Sequence, residues 1–183
     1  MAEIEGEEAL VKRAKEDPAA FGVLYERYVK RIYNYIYYRT GNVRDAEDLT
    51  AKTFYQALRN IGNYEPRGVS FSGWLYRIAH NLVANWHRDR SRRKVVSLDR
   101  LAIADQRTSH SPERFIEEKE EREALLKAIR RLPPDRQQLL ILKFVERMSN
   151  AEIGRIMGRS EGAIKSLYHR TLVALKKELG SDS

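Results

Sequence analysis

Arg77, Asn81, Asn85 and Arg88 stand at spacings of four, four and three in the run FSGWLYRIAHNLVANWHRDRSRR, residues 71 to 93. On a helix they form a single polar stripe. Asparagine is a poor helix former, so two on one face ask for a reason. Its amide can bond a base edge. Tyr64, Phe71, Trp74 and Trp86 lie close by in sequence. Aromatic rings can stack on unpaired bases or fill a core, and the core is the expectation for the two tryptophans.

A second set lies in SNAEIGRIMGRSEGAIKSLYHR, residues 149 to 170. Ser149 and Glu152 match a capping box, in which each side chain satisfies the other's backbone N–H. Gly158 supplies the left-handed residue that ends the short helix they start. Ser160 then caps a second helix running towards Leu179. Ile153, Met157, Ile164 and Leu167 fall where two crossing helices must meet, and Gly154 is small enough to let the second helix approach. This is the helix-turn-helix pattern, whose second helix lies in the major groove. Ser160, Glu161, Ala163, Lys165, Ser166, His169 and Arg170 face away from the seam. Lys165 and Arg170 can pair with phosphates or guanine edges, and Glu161 can accept from cytosine. An αα-hairpin with a solvated charged face has a similar seam; the basic surroundings favour DNA.

Nothing in the chain reads as catalytic. The four histidines, at 80, 87, 110 and 169, make no metal spacing, and no glycine-rich phosphate loop or nucleophile–base set stands out. The expectation is a protein that is not an enzyme, with no cofactor and no metal. The absence of cysteine excludes disulfides and thiolate metal sites and suits a reducing cytoplasm. No apolar run approaches the roughly 20 residues of a membrane span. The acidic opening MAEIEGEEALVKRAKED does not read as a signal peptide. A soluble, cytoplasmic protein without membrane insertion is expected.

The 183 residues suffice for one ordinary domain or two small ones, and their net charge of +8 raises the case for a nucleic-acid partner. The charge is uneven: WHRDRSRRK, 86 to 94, and the last helices are basic, while PERFIEEKEERE, 112 to 123, is acidic.

Helical periodicity dominates the elements that must carry these residues. Asp17 and Pro18 start a helix with Phe21, Leu24, Tyr25, Tyr28, Ile32 and Ile36 on one side, ending at Gly41. Asn42 caps the next, whose stripe is Val43, Ala46, Leu49, Thr53, Phe54, Ala57, Leu58 and Ile61. GNYEPRGVS, 62 to 70, is a loop. In the helix after it, Trp74, Ile78, Leu82 and Trp86 share one side. Beyond Arg90 the period fails. Residues 93–111 read as a linker, with VVSL as a short extended piece. Ser111 and Pro112 restart a helix carried by Phe115, Ile116, Leu125, Leu126 and Ile129 to the break at Pro133–Pro134, and DRQQLLILKFVERM forms another. No strand-rich region appears. The fold class expected is all-α, in two lobes.

DAEDLTAKTF, 45 to 54, the WLYRIAHN run, and LPPDRQQLLIL leading into the helix-turn-helix occur in an order that resembles the bacterial sigma factors of the extracytoplasmic-function group, within the sigma-70 family. The resemblance runs from about Phe21 to Leu179. It implies region 2 over residues 1–92, a linker over 93–111 and a helix-turn-helix region 4 over 112–183. The function implied is binding core RNA polymerase and directing promoter-specific transcription initiation. Region 4 would read the −35 duplex through the seven residues from Ser160 to Arg170.

The resemblance also assigns the remaining surfaces. Asp45, Glu47 and Asp48, with Lys52 and Gln56 on neighbouring turns, would dock on the β′ clamp helices of the polymerase; acids in a first helical turn are also favoured by the helix dipole. Tyr64, Ser70, Phe71, Trp74, Arg77, Asn81, Asn85 and Arg88 would hold the opened −10 strand. Arg88, Arg90, Arg92 and Arg93 would contact phosphates. The β flap and an anti-sigma factor are implied as further partners. The sequence departs from the family where Leu167 and Leu172 replace frequent arginines, Leu58 a tryptophan and Gly154 an alanine, and Gly162 weakens the start of the reading helix. The alternative is a one-component helix-turn-helix transcriptional regulator with a helical effector or dimerisation domain.

Overall fold

The computed structural model describes residues 6–66, 68–92 and 112–181, and every regular element among them is helical. Helix α1 is Glu7–Ala14, α2 Pro18–Thr40 and α3 Val43–Asn60, followed by a single 3-10 turn, Ile61–Asn63, and α4, Phe71–Arg92. The second lobe holds α5, Pro112–Arg131, α6, Pro134–Phe144, α7, Asn150–Met157, and α8, Glu161–Gly180. The linker, its VVSL piece and the cap at Ser111 lie outside the described residues, as do the side chains of Arg92, Arg93 and Phe115.

Local chemistry sets the boundaries. The Asp17 carboxylate accepts the Ala19 N–H at 3.0 Å and Pro18 opens α2, while Gly41 closes it in the left-handed region at φ 67°. The Asn42 amide oxygen accepts the Asp45 N–H at 3.0 Å to start α3. The acidic opening stretch, read only for its charge, contains α1. Its Leu10, Val11 and Ala14 are buried against the first lobe, and Lys15 donates to the Tyr64 carbonyl at 2.6 Å.

Four stripes need correction. The face of α4 that enters the core is Phe71, Leu75, Tyr76, Ala79 and Val83, with Trp74, Ile78, Leu82 and Trp86 half-buried along its flank. Tyr25 and Leu58 are exposed, although they continue the apolar periods of α2 and α3; the Tyr25 ring keeps an edge-to-face contact with Phe54 at 4.9 Å. Ile116 and Leu125 are exposed as well. Helix α5 packs through its C-terminal half, where Ala128 and Leu132 are buried. There the chain turns through two prolines, and Gln137 Nε2 donates to the carbonyls of Arg130 at 3.1 Å and Leu132 at 2.7 Å, capping the end of α5.

The lobes share one continuous core. Leu139, Ile141, Leu142, Ile153, Ile156, Ile164 and Leu167 of the second lobe join the apolar interior of the first. Polar ties surround this junction. Arg31 of α2 pairs with Glu146, just beyond α6, at 2.9 Å, beside the buried Tyr76 hydroxyl, which its burial, and then that carboxylate, keep well above the usual phenol range. Arg130 donates to the Tyr38 carbonyl at 3.1 Å, and its guanidinium lies over Gly41, where a Cβ would meet it at 2.8 Å.

His80 sits at the centre of the junction. Its Nδ1 is 2.7 Å from the fully buried Arg39 guanidinium, which makes that nitrogen the acceptor. Its Nε2 is 3.7 Å from Asp135, which also accepts from Arg159 at 2.7 Å. Burial, then Arg39, pushes the His80 pKa from 6.5 down to about 4, against the pull of Asp135. The folded chain therefore binds fewer protons than the unfolded one between those values, so stability present above pH 6.5 falls as pH drops towards 4. His87 is shifted down by burial and by Arg39 and adds to the same trend. Urea denaturation at pH 7.5, 6 and 5 is expected to show this loss, and His80→Gln, which keeps an acceptor for Arg39, is expected to flatten it. An equal slope in the variant would assign the titration elsewhere.

Candidate nucleic-acid interface

Helices α7 and α8 form a helix-turn-helix whose turn is fixed at every step. Ser149 Oγ accepts the Glu152 N–H at 3.2 Å while Glu152 accepts the Ser149 N–H at 2.8 Å. Gly158 takes φ 66° to end α7, and the Arg159 N–H returns to the Gly154 carbonyl at 2.8 Å. Ser160 Oγ then accepts the Ala163 N–H at 3.1 Å to start α8. Ile153, Ile164 and Leu167 are buried in the seam and Met157 is half-buried at its edge. Leu167 thus belongs to the interior, and an arginine there would not lie on the exposed row of α8. Leu172, by contrast, is on the surface.

That row is complete. Ser160, Glu161, Ala163, Lys165, Ser166, His169 and Arg170 are all exposed along one side of α8. Arg170 is braced by a long hydrogen bond, 3.4 Å, from its Nε to the Ser166 carbonyl.

The residues expected to grip a single strand are divided. Asn81, Asn85 and Arg88 are exposed on α4, with Arg88 donating to the Asn85 carboxamide. Ser70 is exposed and caps α4 by accepting the Gly73 N–H at 3.1 Å. Tyr64 and Phe71 are not available as stacking platforms: Phe71 is 1% exposed and Tyr64 7%, their rings packed edge to face. The Tyr64 hydroxyl instead donates to the Val69 carbonyl at 2.9 Å and shapes the loop. The half-buried Trp74 ring, 4.9 Å from Tyr64, edges a surface hollow of about 420 Å³ that Asn63, Val69 and Arg77 also line. Arg77 does not point freely outward. Its Nε donates to the Ile156 carbonyl at 2.7 Å and its Nη2 to the Arg155 carbonyl, both at the C-terminal end of α7.

Asp45, Glu47, Asp48, Lys52 and Gln56 lie along the outer side of α3, exposed except for the half-buried Asp45. Lys52 pairs with Asp48 at 2.9 Å, and Asp45 lies 3.8 Å from Arg90, whose guanidinium also covers the Trp86 ring. Sequence reasoning missed Tyr55, 60% exposed with Arg59 over its ring. The spacing Asp48, Lys52, Tyr55, Arg59 continues the same helical face and could have found it. It also missed four exposed apolar residues, Phe144 and Val145 at the end of α6 and Leu172 and Val173 on α8.

This geometry defines a class: a two-lobed helical protein with a helix-turn-helix in one lobe and a polar, aromatic-flanked helix in the other. Residues 24–93 match the family described as Sigma-70 region 2, and residues 122–175 match Sigma-70, region 4. The chain is 42% identical over 175 residues to the ECF RNA polymerase sigma factor BldN of Streptomyces coelicolor, a match covering 95% of this chain and 66% of that one. It is 32% identical over 181 residues to the ECF RNA polymerase sigma factor SigW of Bacillus subtilis, covering 92% of this chain and 94% of that one. The solved structure of CnrH, in complex with the cytosolic domain of CnrY, has the same fold, with a TM-score of 0.72 at 20% identity over 98% of this chain and 100% of that one. The chain belongs to the sigma-70 family of RNA polymerase sigma factors, in the extracytoplasmic-function group.

Sigma factors are regulatory initiation factors, and the two matched regions, in this order, do not favour the one-component regulator. Among the described residues no helix is long and apolar enough to cross a membrane.

A Cβ on Gly154 would lie 2.6 Å from the Arg159 carbonyl oxygen, a backbone atom with little room to yield. Gly154→Ala is therefore expected to destabilise the fold by about 1–3 kcal/mol, the usual range for overpacking, despite the better helix propensity of alanine. Chemical denaturation measures it, and a stability gain would show that the turn relaxes freely.

Proposed function

We propose that this sigma factor binds core RNA polymerase through the outer face of α3 and directs it to promoters by reading two DNA elements with its two lobes. The observation that carries the reading is the exposed row Ser160, Glu161, Ala163, Lys165, Ser166, His169 and Arg170 on α8, whose start is fixed by the Ser160 cap just after the left-handed glycine that ends α7. In the major groove, Lys165 and Arg170 supply cationic donors and Glu161 an acceptor for the −35 duplex. Region 2 spans residues 1–92, a linker 93–111 and region 4 residues 112–183.

In the first lobe, Ser70, Trp74, Asn81, Asn85 and Arg88 hold the opened −10 strand, and Arg77 joins them once it is released from α7. The hollow beside Trp74 suits one flipped base, with Tyr64 and Phe71 as the buried support beneath it. The acids at 45, 47 and 48, with Lys52 and Gln56, fit a basic surface such as the β′ clamp helices. The exposed Phe144, Val145, Leu172 and Val173 fit an apolar helix such as the β flap. An anti-sigma protein is a further partner in this reading, as CnrH is bound to the cytosolic domain of CnrY. The protein works in the cytoplasm, where the polymerase is, and catalyses nothing by itself.

Purified core polymerase with and without this protein, on a promoter library read by 5′-end sequencing, tests the reading. New start sites sharing two spaced motifs are expected; no initiation together with tight stand-alone binding to a palindrome would favour the one-component regulator. Replacing Asp45 and Asp48 by lysine is expected to weaken core binding at least tenfold without loss of fold, measured by competition for core. An unchanged affinity would remove the assignment of α3. Asn81→Ala is expected to slow promoter opening more than closed-complex formation, seen by permanganate reactivity of unpaired thymines; equal losses at both stages would mean that Asn81 only supports packing.

A further inference from the structure

We infer that Lys15 is a positioning residue for the −10 grip: from the end of α1 it holds the Tyr64 carbonyl and so sets the shape of the hollow beside Trp74. This deepens the sigma reading above and rests on it. Three observations carry it.

The first is how Lys15 is itself placed. It closes α1, and its N–H still bonds the Val11 carbonyl at 3.3 Å. Two residues on, the Asp17 N–H bonds the Arg13 carbonyl at 2.8 Å, so the link into α2 has little slack. Leu10, Val11 and Ala14 seat α1 on the first lobe by apolar contact. Lys15 stands outside that seat. It is exposed overall, and its ammonium reaches the carbonyl of Tyr64, 49 residues along the chain, at 2.6 Å. A charged donor makes this bond stronger than a neutral one would be.

The second is what Tyr64 controls. Its hydroxyl donates to the Val69 carbonyl at 2.9 Å, so this one residue is tied both to α1 and to the far end of its own loop. Its ring lies edge to face on Phe71 and 4.9 Å from Trp74. Tyr64, Val69 and Trp74 all line the hollow of about 420 Å³. A shift of the Tyr64 backbone therefore moves several walls of that hollow together.

The third is that α1 holds the same aromatic cluster from its other end. Glu7 accepts the Tyr28 hydroxyl, and the Tyr28 ring lies 5.8 Å from Phe71. Burial, then Glu7 and Glu8, hold the Tyr64 hydroxyl above the usual phenol range, so both carboxylates are within electrostatic reach of it. Helix α1 thus accompanies Tyr64 along its length, with Lys15 at the carbonyl. Lys15 touches no base in this arrangement; it acts through the loop.

Lys15→Met keeps an apolar stem and removes the ammonium, and Lys15→Arg returns a charged donor. Each chain is compared with the parent in transcription by core polymerase from a promoter library. Lys15→Met is expected to lose at least fivefold of the base preference at one −10 position, with core affinity and −35 duplex binding kept within twofold. Lys15→Arg is expected to regain most of that preference. An unchanged −10 preference in Lys15→Met would overturn the proposal. So would a uniform loss over all −10 sequences, or weakened core binding, because the tie would then support the whole lobe and not the hollow. If the unsubstituted chain initiates nothing, the sigma reading fails, and the tie itself is still decided in the free protein.

There the readout is hydrogen exchange at the Tyr64, Gly68 and Trp74 amides, which bond the carbonyls of Ile61, Pro66 and Ser70. Lys15→Met is expected to quicken it at least fivefold and to leave the amides of α8 unchanged. Tyr64→Phe removes the tie to Val69 and is expected to quicken the same amides. The double substitution is expected to do so by less than the product of the two effects, as for groups acting through one loop. Exchange equal to the parent's in Lys15→Met, or effects that multiply independently, would show that Lys15 does not hold the loop.

Discussion

Helix α4 has to satisfy two packing surfaces at once, and the rest of the molecule is arranged around that requirement. One side gives Phe71, Leu75, Tyr76, Ala79 and Val83 to the first lobe. An adjoining side, with Gly73, Arg77 and His80, receives the second lobe. A helix with two buried sides retains only a narrow solvated strip, and Asn81, Asn85 and Arg88 occupy it. The poor helix propensity of asparagine is tolerated because burial on the other sides holds the helix.

The junction combines apolar packing with charges that have little solvent. Arg39 is fully buried, and its Nε and Nη2 have no hydrogen-bond partner among the described residues, while its Nη1 is shared between Tyr35 and His80. The Glu146 side chain is 6% exposed and depends on Arg31 from the opposite lobe. Buried polar groups of this kind contribute little net stability compared with apolar substitutes, and losing one partner costs several kcal/mol. Their effect here is to fix how the lobes register: sliding one past the other would strand a carboxylate or a guanidinium. The apolar residues at the same contact, Ile156 above all, supply attraction that is less particular about position.

Much of this was legible in the sequence. Both lobes, the caps at Asp17, Asn42, Ser149 and Ser160, and the seam of Ile153, Ile164 and Leu167 follow from spacing and short-range chemistry. So does the exposed row of α8, because a short helix against a longer one leaves few choices of face. The failures share a cause. Arg77 meets carbonyls 78 and 79 residues away, and Arg31 meets a carboxylate 115 residues away, separations at which no local period carries information. Phe71 and Tyr64 were read as reaching outward because aromatic residues suit either a core or a base stack, and only the third dimension distinguishes the two. Leu58 and Ile116 keep the period of a buried stripe and yet are exposed, with no neighbour among the described residues to bury them.

The cap that Gln137 provides has a mechanical meaning. Two prolines in succession fix φ at both positions of the corner but offer no N–H to tie it to its neighbours. Here a buried amide crosses the corner and binds the last turn of α5 from inside α6. The corner is thereby held as an elbow, from which the exposed stretch of α5 between Ile116 and Leu125 leads away. Helix α5 also lies against α8, so a torque applied to its exposed acidic stretch would pass to α8 instead of being absorbed at the bend.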